Sequence, residues 1–289
     1  MSTLRAVQPT SALPNISQAG HRATVGRTCI TVAGIPFDDV TMQEAVQEIA
    51  WMAEQTDRAR HICTGNLDHL VILENDPVFR TAYETADLVL ADGMPIVWLS
   101  HLQNKKQQQL RERVTGSDLF WELGRVSAQK GARLFFLGGA PGAAVRAADA
   151  VRQKYPLACI AGTYCPSFEA FGTPEEEERI TEEIRNARPD ILLVGLGAPK
   201  QEKWILQNKE RLGIPVSIGV GGSFEMASGL QRRAPVWMQH AGLEWCYRMG
   251  QEPGRLTKRY LGRDLPFLMH LLTRGKRGSS SPHFQRRSG

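Results

Sequence analysis

HICTGNLDHLVILENDPVFRTAYETADLVLADG, residues 61 to 93, contains two short apolar runs that read as buried strands, each ending in polar residues. The first, His61 to Cys63, leads into Thr64, Gly65 and Asn66; the second, Leu88 to Ala91, leads into Asp92 and Gly93. Between them, Leu67 to Glu74 and Pro77 to Thr85 place apolar residues at helical spacing, with Pro77 suited to a first helical turn. The stretch is a strand, helix, strand unit. In an open parallel sheet ligands gather outside the carboxyl ends of the strands, which puts Thr64, Asn66 and Asp92 at one crevice. A carboxylate there, followed by a glycine that lets a substrate approach the backbone, has the placement of a general base; an Asp-Gly pair also makes an ordinary turn or helix cap.

Working outward, strands are expected at Cys29 to Val32 and Ile35 to Phe37, and Thr41 with Glu44 three residues on has capping-box spacing for a helix to about Gln55. After the central unit come a short helix, Met94 to His101, and a polar surface excursion, Gln103 to Arg111. An amphipathic segment, Leu119 to Gln129, follows, for which Ser117 or Asp118 serves as cap. Arg113, just before it, either meets an anion or is solvated. From Arg133 the alternation is regular: strand Arg133 to Leu137, helix to about Lys154, strand Ala158 to Gly162, and a helix capped by Thr173 with Pro174 at its first position. Strand Ile191 to Val194, helix Lys200 to about Glu210 and strand Val216 to Val220 complete the series. The fold class is α/β, a mostly parallel, Rossmann-like open sheet covered by helices.

Glycine-bearing turns at 138, 195 and 221 each end a strand and open a helix, so their N–H groups can hold phosphate or simply make tight turns. None completes a dinucleotide fingerprint or a Walker A sequence, which counts against an NAD(P)-dependent oxidoreductase and an ATP phosphate-loop protein. Gln201 and Glu202 open a helix on the same side as Asp92, as crevice groups or as ordinary helix-start residues.

The formal charge of +5 hides an asymmetry: residues 232 to 289 hold 12 Lys/Arg against 3 Asp/Glu, which leaves the first 231 residues net acidic. That distribution disfavours nucleic acid as a partner of the main body and favours an anionic partner, membrane phosphate or nucleotide diphosphate, for the C-terminal end. There, Trp237 to Met249 reads as one helix, and Arg255 to Leu272 sets Leu256, Tyr260, Phe267, Leu268 and Leu271 near one helical face, with a bend at Pro266. This basic amphipathic element suits a membrane interface, an ordinary packed helix pair, or a second copy of the chain in a homo-oligomer. Five cysteines without a CxxC or zinc spacing fit reduced thiols, and no run is long enough to span a bilayer. The expected organisation is a disordered segment 1–26, an α/β core 27–232, a helical element 233–272 and a disordered basic tail 273–289.

TGN at 64–66, ADG at 91–93, RVTGSDL at 113–119, GAPKQE at 197–202, GVGGSFE at 219–225, RAPVWMQHAGLEWCYR at 233–248 and EPGRLTKRYL at 252–261 together resemble one family over residues 30 to 272. It is glycosyltransferase family 26 of bacterial cell-surface polymer synthesis, which includes N-acetylmannosaminyl and N-acetylmannosaminuronyl transferases and glucose-type exopolysaccharide enzymes. The resemblance implies inverting, metal-independent transfer from a UDP-sugar to a polyprenyl-diphosphate-linked saccharide, by an enzyme peripheral to the cytoplasmic face of the plasma membrane. It implies Asp92 as base, Thr64 and Asn66 as orienting groups, and Arg113 and Gln201 as active-site contacts. It further implies Arg248, Arg255 and Lys258 or Arg259 near the UDP diphosphate, on a C-terminal element that closes over the site. The sequence has no Asp-x-Asp signature beside a strand, so side-chain cations take the leaving group's charge in this reading. The alternative of another class is a non-catalytic, membrane-associated nucleotide-binding protein.

Overall fold

A computed structural model describes residues 27–104, 108–251, 254 and 260–274. The chain opens with an antiparallel hairpin, β1 (Cys29–Val32) and β2 (Ile35–Asp38), then α1 (Met42–Glu54). The unit that decides the fold follows as β3 (Arg60–Gly65), α2 (Leu67–Asn75), α3 (Pro77–Glu84) and β4 (Leu88–Ala91). Next come α4 (Met94–Gln103), α5 (Gly116–Lys130), β5 (Leu134–Gly138), α6 (Ala143–Lys154), β6 (Ile160–Tyr164), α7 (Pro174–Ala187), β7 (Ile191–Gly195), α8 (Lys200–Leu212), β8 (Val216–Gly219) and α9 (Ser223–Ala227). The C-terminal part has α10 (Val236–His240), α11 (Glu244–Gln251), a π-helical turn (Tyr260–Asp264) and α12 (Leu265–Arg274).

Strands β3 to β8 form one parallel sheet in the order β4-β3-β8-β7-β5-β6. Side chains alternate between its faces. Ile62, Leu134, Phe136, Leu193 and Ile218 pack under α1, α5, α6 and α9. On the other face Cys63 and Val89 meet the hairpin and α2 to α4, while Phe135, Leu137 and Val194 meet α7 and α8. Burial on both faces explains why β4, β5 and β7 are continuous apolar runs, whereas β6 at the sheet edge is only half-buried. The chain leaves β5 outward to β6 and leaves β7 inward to β8, so this adjacent pair is a switch point at which an α/β sheet opens a crevice.

The caps at Thr41 and Thr173 form as expected, the first as a reciprocal box with Glu44. Four expectations are corrected. The cap of α5 is Thr115, whose hydroxyl accepts from the Asp118 N–H, so Ser117 and Asp118 lie inside the helix. β3 runs through Thr64 and Gly65, which pair with Leu90 and Ala91. β6 starts at Ile160 rather than Ala158, because the Ala158 N–H donates to Tyr155 O and the Cys159 N–H to Ser127 Oγ. The single helix expected over Trp237 to Met249 is two, broken where Gly242, at φ +71°, seats against α4. A Cβ on Gly242 would lie 2.7 Å from Met94 Cβ and 2.8 Å from the Trp98 ring, so only glycine permits this approach.

Phe267, Leu268 and Leu271 of the expected C-terminal apolar face pack on the core beneath β3 and β4, and Arg263 pairs with Asp68 of α2. That part of the face is a packed helix. Arg255, Leu256, Lys258 and Arg259, the side chain of Tyr260, the segment 1–26 and the tail beyond residue 274 lie outside the described residues.

Candidate active site

Two clusters meet at the carboxyl ends of the strands. The first is a cleft of about 830 Å³ at the β5–β7 switch point, lined by the turns Gly138–Gly142, Gly195–Gly197 and Gly221–Gly222, with Phe168, Lys200 and Glu225. The Lys200 ammonium lies 4.9 Å from the Phe168 ring centre. Glu225 Oε1 accepts from the Ala140 N–H at 2.6 Å, while its buried Oε2 has no hydrogen-bond partner among the described residues. A bare carboxylate oxygen beside N–H-rich turns suits a ligand that combines anionic oxygens with hydroxyl donors.

The second cluster surrounds Asp92. Its N–H donates to Gly65 O at 2.8 Å, and Gly93 at φ +115° turns the chain into α4. The segment after α4 returns alongside β4, where the Val114 N–H donates to Ala91 O, and so brings up Arg113 and the start of α5. The Gly116 N–H at the start of α5 is close enough to favour the Asp92 carboxylate. Burial, and then the Glu244 carboxylate, push its pKa up to about 6, against the pull of Arg248, the Gly116 N–H and Arg113. Near neutral pH Asp92 is therefore largely ionised and basic enough to take a proton.

Arg113 Nη1 and Arg233 Nε each lie 3.5 Å from a different oxygen of Glu244. Arg233 Nη1 also holds Asp118 Oδ1 at 2.5 Å, and the Thr115 hydroxyl donates to Asp118 Oδ2. Despite burial, Arg233 and Thr115 keep the Asp118 carboxyl below its usual range. Arg248 joins the two clusters. Its charge acts on Asp92, and its Nη2 lies 3.8 Å from the position a Gly222 Cβ would take, with Glu225 Oε2 3.7 Å from the same point.

Other residues anticipated from the sequence make contacts within the protein. The Thr64 hydroxyl donates to Gly219 O at 2.9 Å and ties β3 to β8. Asn66 caps α2 by accepting from the His69 N–H. Gln201 is 1% exposed; its Oε1 accepts from the N–H groups of Gly197 and Gly221, and its Nε2 donates to Glu202 Oε1. Its side chain thus clasps two cleft turns instead of lining the crevice. Arg255, Lys258 and Arg259 fall outside the described residues. Arg233, Glu244 and Glu225 were not singled out from the sequence, although all three lie in the quoted motifs; no local pattern marks partners 115 and 131 residues apart.

Glu202 is fully buried, and burial raises its pKa to about 7 against the Gln201 hydrogen bond. The folded state then holds the proton more tightly than the unfolded chain, so stability is fully present near pH 4.5 and falls as pH rises toward 7. The loss is on the order of 3 kcal/mol. Glu202→Gln is expected to flatten this fall, so that melting curves of variant and parent separate most above pH 7, in the variant's favour. Equal pH dependence in both would show that Glu202 titrates normally.

A doubly wound parallel sheet with its cleft at the switch point defines the class, α/β proteins that work at the carboxyl ends of their strands. Within it, the chain belongs to the glycosyl transferase WecG/TagA/CpsF family, whose model matches residues 30–281, and it is a glycosyltransferase. Among its relatives are the N-acetylglucosaminyldiphosphoundecaprenol N-acetyl-beta-D-mannosaminyltransferases of Staphylococcus aureus strains MW2 and COL. Each is 28% identical over 250 residues, 86% of this chain and 93% of theirs.

Proposed function

We propose that the protein moves a sugar from a UDP-sugar to a polyprenyl-diphosphate-linked saccharide, by one inverting displacement with Asp92 as base. The observation that carries the reading is the buried, raised Asp92 carboxyl in the field of Arg248 and Arg113, with Arg248 also reaching the Gly222 turn of the glycine-lined cleft. The cleft takes the nucleotide: turn N–H groups and Arg248 face the diphosphate, and the free Glu225 oxygen accepts from a hydroxyl. Asp92 removes the acceptor hydroxyl proton as its oxygen bonds to the sugar's anomeric carbon, and the bond to UDP breaks on the opposite face. Charge on the departing UDP is met by guanidinium and backbone N–H groups, so no metal ion is required. Thr64, Asn66 and Gln201 hold the strand ends and turns in place. The mannosaminyl name of the relatives favours an N-acetylmannosamine-type donor over a glucose-type one.

No described helix is long and apolar enough to cross a membrane. A peripheral position on the inner face of the plasma membrane is supported by the lipid-linked acceptor named for the relatives and by Val236 and Trp237, each 65% exposed on α10. The test is UDP release by the full chain with a panel of UDP-sugars, with and without N-acetylglucosaminyl-diphosphoundecaprenol. Release with one donor that depends on acceptor is expected. Donor hydrolysis that ignores acceptor, or none with any donor while UDP binds, would overturn the reading.

A further inference from the structure

We propose that Arg113 and Arg233, bridged by Glu244, form a second anion subsite, separate from the donor cleft, that takes the diphosphate of the polyprenyl-linked acceptor. The inference rests on the reading above, in which two diphosphates are present at once. One set of cations cannot neutralise both, and the described arginines divide accordingly. Arg248 stands over the Gly222 turn at the donor cleft. Arg113 is on the segment beside β4, and Arg233 is anchored to Asp118 in the first turn of α5.

The second group is under-satisfied in the way an empty anion site would be. Arg233 Nη2 is buried with no hydrogen bond among the described residues, and the buried Nε has only its long ion pair with Glu244. Both contacts to Glu244 are 3.5 Å, longer than the roughly 2.7–3.2 Å of a well-formed N–H···O bond. Buried guanidinium donors left this way cost stability unless a ligand completes them. A diphosphate offers several oxygens to two guanidinium forks, where Glu244 offers two. Glu244 is then a placeholder that holds the arginines apart until the acceptor displaces it.

The surroundings match an amphiphile. Val236 and Trp237 follow Arg233 by three and four residues and are 65% exposed, while Trp98, against which Gly242 seats, is 42% exposed. An isoprenoid chain leaving the arginines meets apolar surface at once, and Glu244 and Arg113 are close enough to Asp92 for their charges to act on it, which keeps the subsite beside the base that the acceptor sugar's hydroxyl must reach.

The test is calorimetric titration of the full chain, saturated with UDP, with farnesyl diphosphate below its micelle concentration. A second site is expected to bind while UDP stays bound, and inorganic pyrophosphate to compete for it. Arg233→Ala should weaken farnesyl diphosphate by about tenfold to a hundredfold with UDP affinity unchanged. Glu244→Gln, which removes the competing carboxylate, should tighten it several-fold, a gain that loss of structure cannot mimic. Displacement of UDP by farnesyl diphosphate, or no gain in a folded Glu244→Gln protein, would overturn the subsite. Because no catalysis is involved, absence of transferase activity with this second site intact would count against the reaction reading and leave the subsite standing.

Discussion

Asp92→Asn is expected to lower kcat for sugar transfer by about 10²–10⁴-fold, the usual contribution of a positioned base, while UDP binding is unchanged. Asparagine keeps the shape and an oxygen near the Gly116 N–H but cannot take a proton. The parent's kcat/KM should fall as pH drops through about 6, where the carboxyl protonates. A second readout separates chemistry from structure. Because the Asp92 pKa is raised, the ionised carboxylate destabilises the fold increasingly as pH rises from 3.8 to about 6, and asparagine removes that cost. The variant should therefore melt no lower than the parent at neutral pH while losing activity, the signature of a residue kept for function at the expense of stability. Transfer at the parental rate by the folded variant would remove Asp92 from the base's role.

Phe224→Ala is expected to cost about 3–5 kcal/mol, as for other buried aromatic truncations. Phe224 is fully buried, stacks on Phe136 with ring centres 5.2 Å apart, and meets Phe120 edge-on at 5.9 Å. It also supports the cleft: its ring would lie 2.8 Å from a Cβ on Gly195 and 3.2 Å from one on Gly139, so two turns rest directly on it. The melting temperature should fall by on the order of 10 °C. UDP affinity should weaken as well, because the turns lose the surface that sets their separation. Thermal melts with UDP titration below the variant's transition check both; a small change in stability would mean that the site collapses to fill the void.

The elements legible from the sequence are those whose causes are local. The capping box at Thr41 and Glu44, the cap and proline at Thr173 and Pro174, and the unbroken apolar runs of β4 and β7 name their structures within a few residues. The position of Asp92 was legible for the same reason: the end of a buried strand followed by glycine is a local pattern whose place in a parallel sheet is known in advance. Thr115 was missed as a cap because Ser117 and Asp118 offer equally good capping chemistry, and the backbone alone decided among them.

What the sequence by itself determined about this protein is the alternation of strands and helices, hence a parallel sheet with its polar ends on one side, and the family through motifs spread along the chain. Only the tertiary structure decided what those motifs do to one another. Packing on the far side of β7 and β8 turned Gln201 inward to clasp two turns. The seat of Gly242 on α4 broke one expected helix into two, and α11 carries Glu244 to Arg113 and Arg233. Local periodicity depends on neighbours three or four positions apart, whereas a charge's partner and its pKa depend on whatever the fold brings within a few ångströms, and that distance is set by the whole chain.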